Sequence, residues 1–547
     1  MNPLRFLFLV FFITFIASCQ KENEKPIVTE NKPVGPFFLS YPANGAKNVE
    51  LRPNLNWSAA SNAISYTLYI ADNESFTNQS IYSNLTTTNY MDTNPLKYNT
   101  TYFWKIIAMG EGDHNSKSSS ICQFTTERDP DAAVSITEFG ASEQNPNNAR
   151  FIQAAIDACP PGCTVYVPKG TFVSGMIKLK SHMTLYLEEG AVLLGTNDVM
   201  DYQTYRKDLS TEKLPGFTNT KENFLDSFFW VRDAENITIT GKGTIDGGDD
   251  HYYLPMSEEY RRYHSLLFLR CKNIEISGIT MKRASNWAVF FYDCIGGTIQ
   301  DVTILGGSDG FDFQRCTHFS LSNCTIKTGD DCIAGCDNQD FTVTNCIFNT
   351  ACTGFNFGCI NLLVEHCSFT GPSEYPHDGW RGFNYMISAF QHKAMDWRET
   401  KLPSDNWIIR NITVDNIERL YYLDRENEWY HKERPAIQIC FDQVIAKNLR
   451  GGGYGFSRAP VTIIDPLDSA IRLRITNSQI SLHPDFPNRN LVYARVFDTI
   501  ELSHVTLSGN NASTRAIEAH NGNLLSLDHV TYQYGIQTTN VTSVVEK

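Results

Sequence analysis

The chain has 547 residues, of which 42% are hydrophobic, 12% aromatic and 19% charged. This composition can bury a core, so it excludes a wholly disordered chain, a collagen and a coiled coil, and at about 100–200 residues per domain the length predicts several domains or one large elongated one. Lys and Arg number 46 against 60 Asp and Glu, and the net charge of −14 disfavours nucleic acid as a partner. The same field repels a polyanionic sugar, so an acidic substrate would need a local basic cluster.

The N-terminus has an apolar run over residues 6–16 that is too short for a membrane-spanning helix and is typical of a secretion signal. Small residues precede Cys19, and this ending resembles a bacterial lipobox, in which the Cys becomes the lipid-modified first residue. An ordinary signal with a chance Cys is the alternative. We predict a lipoprotein signal over 1–18, a tether over 19–35, and a lipid anchor at Cys19 that holds the protein in the bacterial cell envelope, at the outer membrane or cell surface.

Residues 36–128 contain short alternating strands separated by turns rich in Asn, Gly, Ser and Pro. Trp57 and Trp104 are placed to pack between two sheets, so the pattern predicts a β-sandwich. The segment resembles a fibronectin type III module over its whole length. Such modules are more often spacers than binding sites, and we assign no chemistry to this one.

Many of the cysteines recur at a period of about twenty-two residues, which is typical of a solenoid. One series has intervals of 23, 22, 20 and 23, a second has intervals of 22 and 21, and apolar and polar residues alternate between the cysteines. This pattern predicts a parallel β-helix with the cysteines stacked inside as small hydrophobic residues. Metal ligation is the alternative, but no C-x-x-C pair occurs. The first series is Cys271, Cys294, Cys316, Cys336 and Cys359, and the second is Cys324, Cys346 and Cys367.

One amphipathic helix is predicted over residues 148–158, where it would cap an open end of the solenoid. Cys159 and Cys163 flank a Pro-Pro-Gly turn and are the candidates for a local disulfide. The predicted apolar face of the helix is Phe151, Ala154, Ala155 and Ala158.

The text from Val134, "VSITEFGASEQNPNNARFIQAAIDACPPGCTVYVPKGTF", together with "ENITITGKGTIDG" and Ser285-Asn286-Trp287, resembles the polygalacturonase family, the family 28 glycoside hydrolases. The resemblance covers residues 134–460. It implies an all-β architecture, a right-handed parallel β-helix catalytic domain over 129–547, and an O-glycosyl hydrolase that needs no cofactor or metal.

Three aspartates are the candidate catalytic residues. Asp309 in "GGSDGFDF" precedes the pair Asp330-Asp331 in "KTGDDCIAG" by 21 and 22 positions, about one coil. Residues one coil apart stack about 4.8 Å apart, so the three carboxylates should converge. Glycoside hydrolysis needs a protonated acid and a carboxylate that activates water, and clustered like charges raise one pKa so that both forms coexist. The alternative is that both motifs are only turns, since both are rich in turn formers.

The family resemblance implies roles for these residues. Asp330 would be the general acid, and Asp309 and Asp331 would be the bases that position and deprotonate water, with inversion of configuration. Cys352 stands where the family's Gly-His-Gly places its His, and residues 385–388, Tyr-Met-Ile-Ser, replace its Arg-Ile-Lys without a cation.

These departures leave the sugar open, because Arg and Lys there would bind the carboxylate of galacturonic acid. The family's usual Asn-Thr-Asp is also replaced, by Gly307-Ser308-Asp309. Rhamnogalacturonan hydrolases of the same family likewise lack this Asn and the His, but they tend to have Asp-Glu where this chain keeps Asp330-Asp331. We predict hydrolysis of an acidic plant or algal polysaccharide, a pectic galacturonan or rhamnogalacturonan in the first place. Arg381 is the first candidate for the missing positive charge. The predicted substrate contacts flank the coils that carry the motifs: Arg381, His251, Trp380, Lys393 and Trp429.

Two rival functions remain at this point. A polysaccharide lyase on the same fold would cleave by β-elimination with Ca²⁺ and an Arg or Lys base. A non-catalytic glycan-binding lipoprotein is the other, supported by the loss of the His and the cations. The expected partners are the polysaccharide and, through Cys19, a membrane, and the expected state is a monomer.

Overall fold

The computed structural model describes residues 33–112, 115–127, 133–202, 226–248, 263–377, 384–392, 402–424, 436–452, 459–464 and 471–547. The chain divides into two compact units, Met1–Arg128 and Asp129–Lys547. Among the described residues, no helix is both long enough and apolar enough to cross a membrane.

The first unit contains two sheets. The smaller sheet is antiparallel, in the order Leu39–Tyr41, Asn54–Trp57 and Asn89–Met91. The larger sheet runs in the order Ala46–Val49, Cys122–Thr126, Thr101–Gly110, Ala63–Ala71 and Ser80–Leu85, with Ser116–Ser118 paired to Thr101–Gly110.

The predicted β-sandwich is confirmed in this unit. Buried and less buried residues alternate along Thr101–Gly110, as expected for a strand with one face in a core. Trp57 and Trp104 are both buried and belong to the same hydrophobic core.

The second unit is a parallel β-helix, as predicted. One sheet has 23 strands that pair along two ladders, and a separate sheet has 12 strands, so the chain passes three ladders in each coil. Parallel strands joined in this way are right-handed in nearly all proteins.

The strand bounds follow the coils in chain order. The ladder that will carry the site contains Ile177–Lys178, Ser227–Arg232, His264–Leu269, Val289–Tyr292, Phe311–Gln314, Ile333–Thr344, Thr353–Glu365, Ser388–His392, Tyr421–Asp424 and Val461–Ile464. The ladder that follows it contains Val134–Ser135, Thr164–Val167, Met183–Leu187, Glu235–Gly241, Lys272–Ser277, Ile295–Gln300, Thr317–Ser322, Asp405–Arg410, Gln438–Asp442 and Arg472–Thr476. Long strands that belong to both ladders end the solenoid: Val492–Ser503, Ile517–Asp528 and Ile536–Glu546. The 12-stranded sheet contains Gly170–Ser174, Ala191–Gly195, Thr244–Asp246, Thr280–Lys282, Thr303–Leu305, Thr325–Thr328, Ile347–Thr350, Ser368–Thr370, Thr413–Asp415, Ile445–Leu449, Gln479–Leu482 and Thr506–Ser508.

Aromatic rings and thiols stack inside the solenoid. Phe291 lies with its ring centroid 4.8 Å from that of Phe313, the two planes 4° apart. The second cysteine column is confirmed, because the strands that follow its three members pair in register and all three side chains are buried. The interior of the β-helix is therefore periodic down to single side chains.

The first cysteine column was predicted wrongly at one position. Cys336 pairs across the ladder with Gln314, and its Sγ lies 3.1 Å from Gln314 Oε1, outside the main core. Asn338 takes the place between Cys316 and Cys359 instead. The coil at this point has 22 residues, so the column position after Cys316 is residue 338. Cys336 comes two residues earlier and therefore lies in the preceding strand, opposite Gln314.

The predicted helix is Ala149–Ala158, with Asn148 at its N-cap. Its buried residues are Ile152, Ala155 and Ile156, and Phe151 is partly buried against the core. The predicted face was therefore right at Ala155 and in part at Phe151, and wrong at Ala158, which is exposed. The predicted disulfide between Cys159 and Cys163 is present. Two short 3-10 helices, Ile136–Phe139 and Val199–Tyr202, lie on either side of this region.

Candidate active site

The site lies where the chain enters successive strands of one ladder. Gly310 N donates to Asp331 O at 2.9 Å, so Asp309 and Asp331 occupy equivalent positions one coil apart. Asp330 N donates to Ser308 O at 3.0 Å, which places Asp330 beside them. The spacing of Asp309, Asp330 and Asp331 in the sequence thus matches one coil of the solenoid, and the fold brings the three residues together as predicted.

The three carboxylates converge. One oxygen from each of Asp309, Asp330 and Asp331 lies within 4.8 Å of the other two. Asp309 and Asp331 are about 5% exposed, whereas the Asp330 side chain is 28% exposed. Asp330 is therefore the member that solvent or a ligand reaches most easily.

Hydrogen bonds hold the buried carboxylates in place. Asp331 N donates to Asp309 Oδ1 at 3.1 Å, and Asn356 Nδ2 donates to Asp331 Oδ2 at 2.7 Å. The hydroxyls of Thr328 and Thr350 both donate to the backbone carbonyl of Asp330. These bonds fix the orientation of the Asp331 carboxylate and the position of the Asp330 backbone beside it.

His377 was missed by the sequence analysis. Its Nε2 lies 3.5 Å from Asp330 Oδ2, and its side chain is 8% exposed. His377 lies in the segment after Ser368–Thr370, where the sequence does not show the alternation of a strand. The only sequence signal for it is the presence of a His in a stretch that contains Pro and Gly.

The segment that carries His377 is anchored at two points. Asn349 Nδ2 donates to the carbonyls of Thr370 and Pro372, and its Oδ1 accepts from Glu374 N at 2.7 Å. Lys327 Nζ lies 2.7 Å from Glu374 Oε1. Because Asn349 is buried, it fixes where the segment leaves the solenoid.

Cys352 lies one coil beyond Asp330, and its Sγ lies within 4.8 Å of a ligand atom of both Asp330 and His377. Burial, with further contributions from Asp331 and Asp330, raises the pKa of the Cys352 thiol well above its usual value. The thiol is therefore neutral, which argues against Cys352 as a nucleophile. A mixed donor set of carboxylate, thiol and imidazole could also hold a metal ion.

The coil after Cys352 carries residues 385–388, the stretch that contains no cation. Ile387 N donates to Cys352 O at 2.6 Å, so residues 385–388 follow Cys352 by one coil. Arginines come from later coils: the Arg450 guanidinium lies 3.9 Å from the centroid of the Tyr385 ring, and buried Arg419 lies 4.7 Å from that of Tyr422.

Aromatic side chains on the N-terminal side of the site form a second hydrophobic cluster rather than exposed sugar platforms. Trp230, Trp287 and Phe290 are at most 5% exposed. The predicted substrate contacts Arg381, His251, Trp380, Lys393 and Trp429 lie outside the described residues, as does Cys19.

Comparisons with known proteins agree with this architecture. The matching family is Glycosyl hydrolases family 28, over residues 163–358. This confirms the predicted resemblance over that part of the chain.

Individual relatives are distant. The chain is 26% identical over 291 residues to the exo-poly-alpha-D-galacturonosidase of Dickeya chrysanthemi, covering 44% of this chain and 47% of that protein. It is 24% identical over 287 residues to a probable endo-xylogalacturonan hydrolase A of Neosartorya fischeri, covering 47% and 63%. The match thus spans only about half to two thirds of these curated relatives.

Among solved structures, the family 28 exopolygalacturonase of Yersinia enterocolitica matches with a TM-score of 0.55 and 16% identity, covering 93% of this chain and 99% of that one. This similarity establishes the fold.

Proposed function

We propose that this protein is a family 28 O-glycosyl hydrolase that cleaves a pectic polysaccharide with a galacturonan backbone. The observation that carries the proposal is the convergence of Asp309, Asp330 and Asp331 within 4.8 Å on the edge of one ladder. The family match includes all three residues, and the relatives named above are galacturonan-acting by name.

Asp330 is the general acid in this proposal. It is the most exposed of the three carboxylates, so it can reach a glycosidic oxygen, while the buried Asp309 and Asp331 remain behind it as bases. The acid protonates the leaving oxygen, and the bases orient a water and take its proton as that water attacks the anomeric carbon.

His377 is a positioning residue for Asp330. Its imidazole lies 3.5 Å from the acid and is a basic side chain that the described residues bring to the cluster, whereas the predicted Arg381 lies outside the described residues. A hydrogen bond from the ring would fix the rotamer of Asp330 and offset part of the charge that builds up as its proton leaves.

Inversion of configuration rests on the family resemblance and not on distance. Inverting enzymes usually hold their two carboxyl groups about 6.5–9.5 Å apart and retaining enzymes about 5–5.5 Å apart. Oxygens of this cluster lie within 4.8 Å, so by distance alone a retaining outcome would be expected. Proton NMR of the first product decides between them, because the two outcomes give opposite anomers.

The activity is tested with a reducing-sugar screen of the full chain over polygalacturonan, rhamnogalacturonan and xylogalacturonan. Asp330→Asn should lower kcat by about 10²–10⁴-fold, the usual contribution of a general acid. Asp340→Asn, a carboxylate outside the cluster that pairs with Asn361, is the matched control and should be silent. Unsaturated products with ultraviolet absorbance would overturn the proposal in favour of a lyase, and glycan binding without new reducing ends would leave only a binding protein.

The N-terminal features complete the proposal. A lipid anchor at Cys19 and a fibronectin type III-like spacer over 36–128 would hold the hydrolase at the bacterial cell surface. Metabolic labelling with a fatty-acid analogue should mark the parent and not Cys19→Ala, and a labelled Cys19→Ala variant would exclude this anchor.

A further inference from the structure

Three different metal-ligating side chains meet beside the carboxylate cluster. Asp330, Cys352 and His377 each offer one donor atom, and the three atoms all lie within 4.8 Å of one another. They come from two neighbouring coils and from the segment anchored by Asn349. Cys352 and His377 are both buried, so the donors are held by their surroundings.

The spacing of the donors fits a small tetrahedral ion. Zinc binds oxygen and nitrogen at about 2.0–2.1 Å and sulfur at about 2.3 Å, so its tetrahedral ligands lie roughly 3.3–3.7 Å apart. The distance of 3.5 Å between His377 Nε2 and Asp330 Oδ2 is already in that range. The other two pairs lie within 4.8 Å and need to close by at most about 1.1–1.5 Å, which side-chain rotations supply.

The charge around the donors also favours a cation. Asp309 and Asp331 place two more carboxylates within 4.8 Å of Asp330. This negative charge would attract a divalent cation. Binding would release the thiol proton of Cys352 to solvent and leave a thiolate on the metal.

The chemistry of the set selects the kind of metal. Thiolate and imidazole are ligands of zinc, cobalt and copper, whereas calcium and magnesium prefer oxygen alone. Three protein ligands leave a fourth position for water, so the site would be open.

We propose that Asp330, Cys352 and His377 form a site for a zinc-class divalent cation, and that the bound ion inhibits hydrolysis because it occupies the general acid. The binding itself goes beyond the proposed function and does not depend on it. Only the inhibition rests on the proposed function.

Binding is tested on the full chain with Co²⁺ and Zn²⁺ as probes. Co²⁺ should give a near-ultraviolet thiolate charge-transfer band at one equivalent, and calorimetry should show Zn²⁺ displacing it while Ca²⁺ does not. Since loss of a supporting group already costs 10–100-fold in metal affinity, Cys352→Ser, His377→Gln and Asp330→Asn should each weaken Zn²⁺ by at least about 100-fold. Cys440→Ser removes a half-buried thiol elsewhere on the solenoid and is the matched control.

The outcomes separate the two parts of the proposal. Absence of the cobalt band in the parent, its survival in Cys352→Ser, or its loss in Cys440→Ser would each overturn the site. Circular dichroism verifies folding, and the three variants lie at different points of the chain, so one that misfolds leaves two to decide. Zn²⁺ should also inhibit hydrolysis reversibly by a chelator, and binding without inhibition would overturn the second part alone.

Discussion

Cys346 and Cys352 lie on either side of the strand Ile347–Thr350, and their surroundings are opposite in kind. Cys346 stacks between Cys324 and Cys367 in the interior, where its amide N lies 3.4 Å from Cys367 Sγ. Cys352 faces Asp330 and His377. The role of a cysteine in this repeat therefore depends on its position within the coil, because the interior of the solenoid is periodic and the edge that carries the site is not.

The interior should be the costliest place to disturb. Phe313→Ala removes a fully buried ring that stacks on Phe291, so we expect a loss of about 3–5 kcal/mol in the free energy of unfolding, as for other buried Phe. Urea denaturation measures it. Ile295→Ala, at a side chain 49% exposed in the same unit, is the control and should cost under about 0.5 kcal/mol. A cost below about 1 kcal/mol for Phe313→Ala would show that the interior is not close-packed.

The site edge should respond in rate and not in stability. His377→Gln keeps a hydrogen-bonding side chain but loses the imidazole, so we expect kcat to fall by about 10–100-fold, less than for the acid itself, with KM within about threefold. Glu374→Gln breaks the ion pair with Lys327 in the same segment and serves as the control for loosening it. Equal losses in both variants would show that the segment, and not the imidazole, matters.

Asn338 is a buried polar residue that stands between Cys316 and Cys359 in the first column. Its Oδ1 accepts from Cys316 N at 2.9 Å and its Nδ2 donates to Phe313 O at 2.9 Å. Asn338→Ala leaves both backbone groups without these bonds and should cost about 1–3 kcal/mol. Asn338→Cys should cost less, because in an earlier coil Cys294 Sγ already lies 3.4 Å from Cys271 N. Thermal unfolding of the two variants measures the difference in stability. If Asn338→Cys is less stable than Asn338→Ala, Cys and Asn are not equivalent at this position of the coil.

The sequence predicts the periodic parts of the solenoid better than the edge that carries the site. The period of 22 places Asp309, Asp330 and Asp331 on neighbouring coils, because a repeat of buried side chains fixes the backbone register. It failed at Cys336, where an interval of 20 imitates the period without sharing its register. His377 could not be predicted, since it reaches Asp330 through a segment held by Asn349, and such side-chain bonds leave no periodic mark.

The turns between ladders carry a charge pattern that should have the smallest effect. One turn position carries alternating charges on successive coils: Asp233, Arg270, Asp293 and Arg315. Arg270 donates two hydrogen bonds to the Asp233 carboxylate, from Nε at 2.7 Å and from Nη2 at 2.9 Å. The Arg270 hydrogen bonds are the largest cause that holds the pKa of Asp233 below its usual value.

A carboxyl whose folded pKa is lowered adds stability above its unfolded pKa, about 3.9, and this stability is lost as the pH falls through the folded value. Asp233 is 54% exposed, so solvent screens the pair and Asp233→Asn should cost only a few tenths of a kcal/mol at pH 7. The cost should shrink in 1 M salt, and also as the pH falls below the unfolded pKa of about 3.9 toward the lowered folded value, whereas the exposed Glu189→Gln should show neither trend. Urea denaturation from pH 7 to pH 3 measures this. A cost that persists at low pH would mean that Asp233 acts through its turn conformation, at a φ of 50°, and not through its charge.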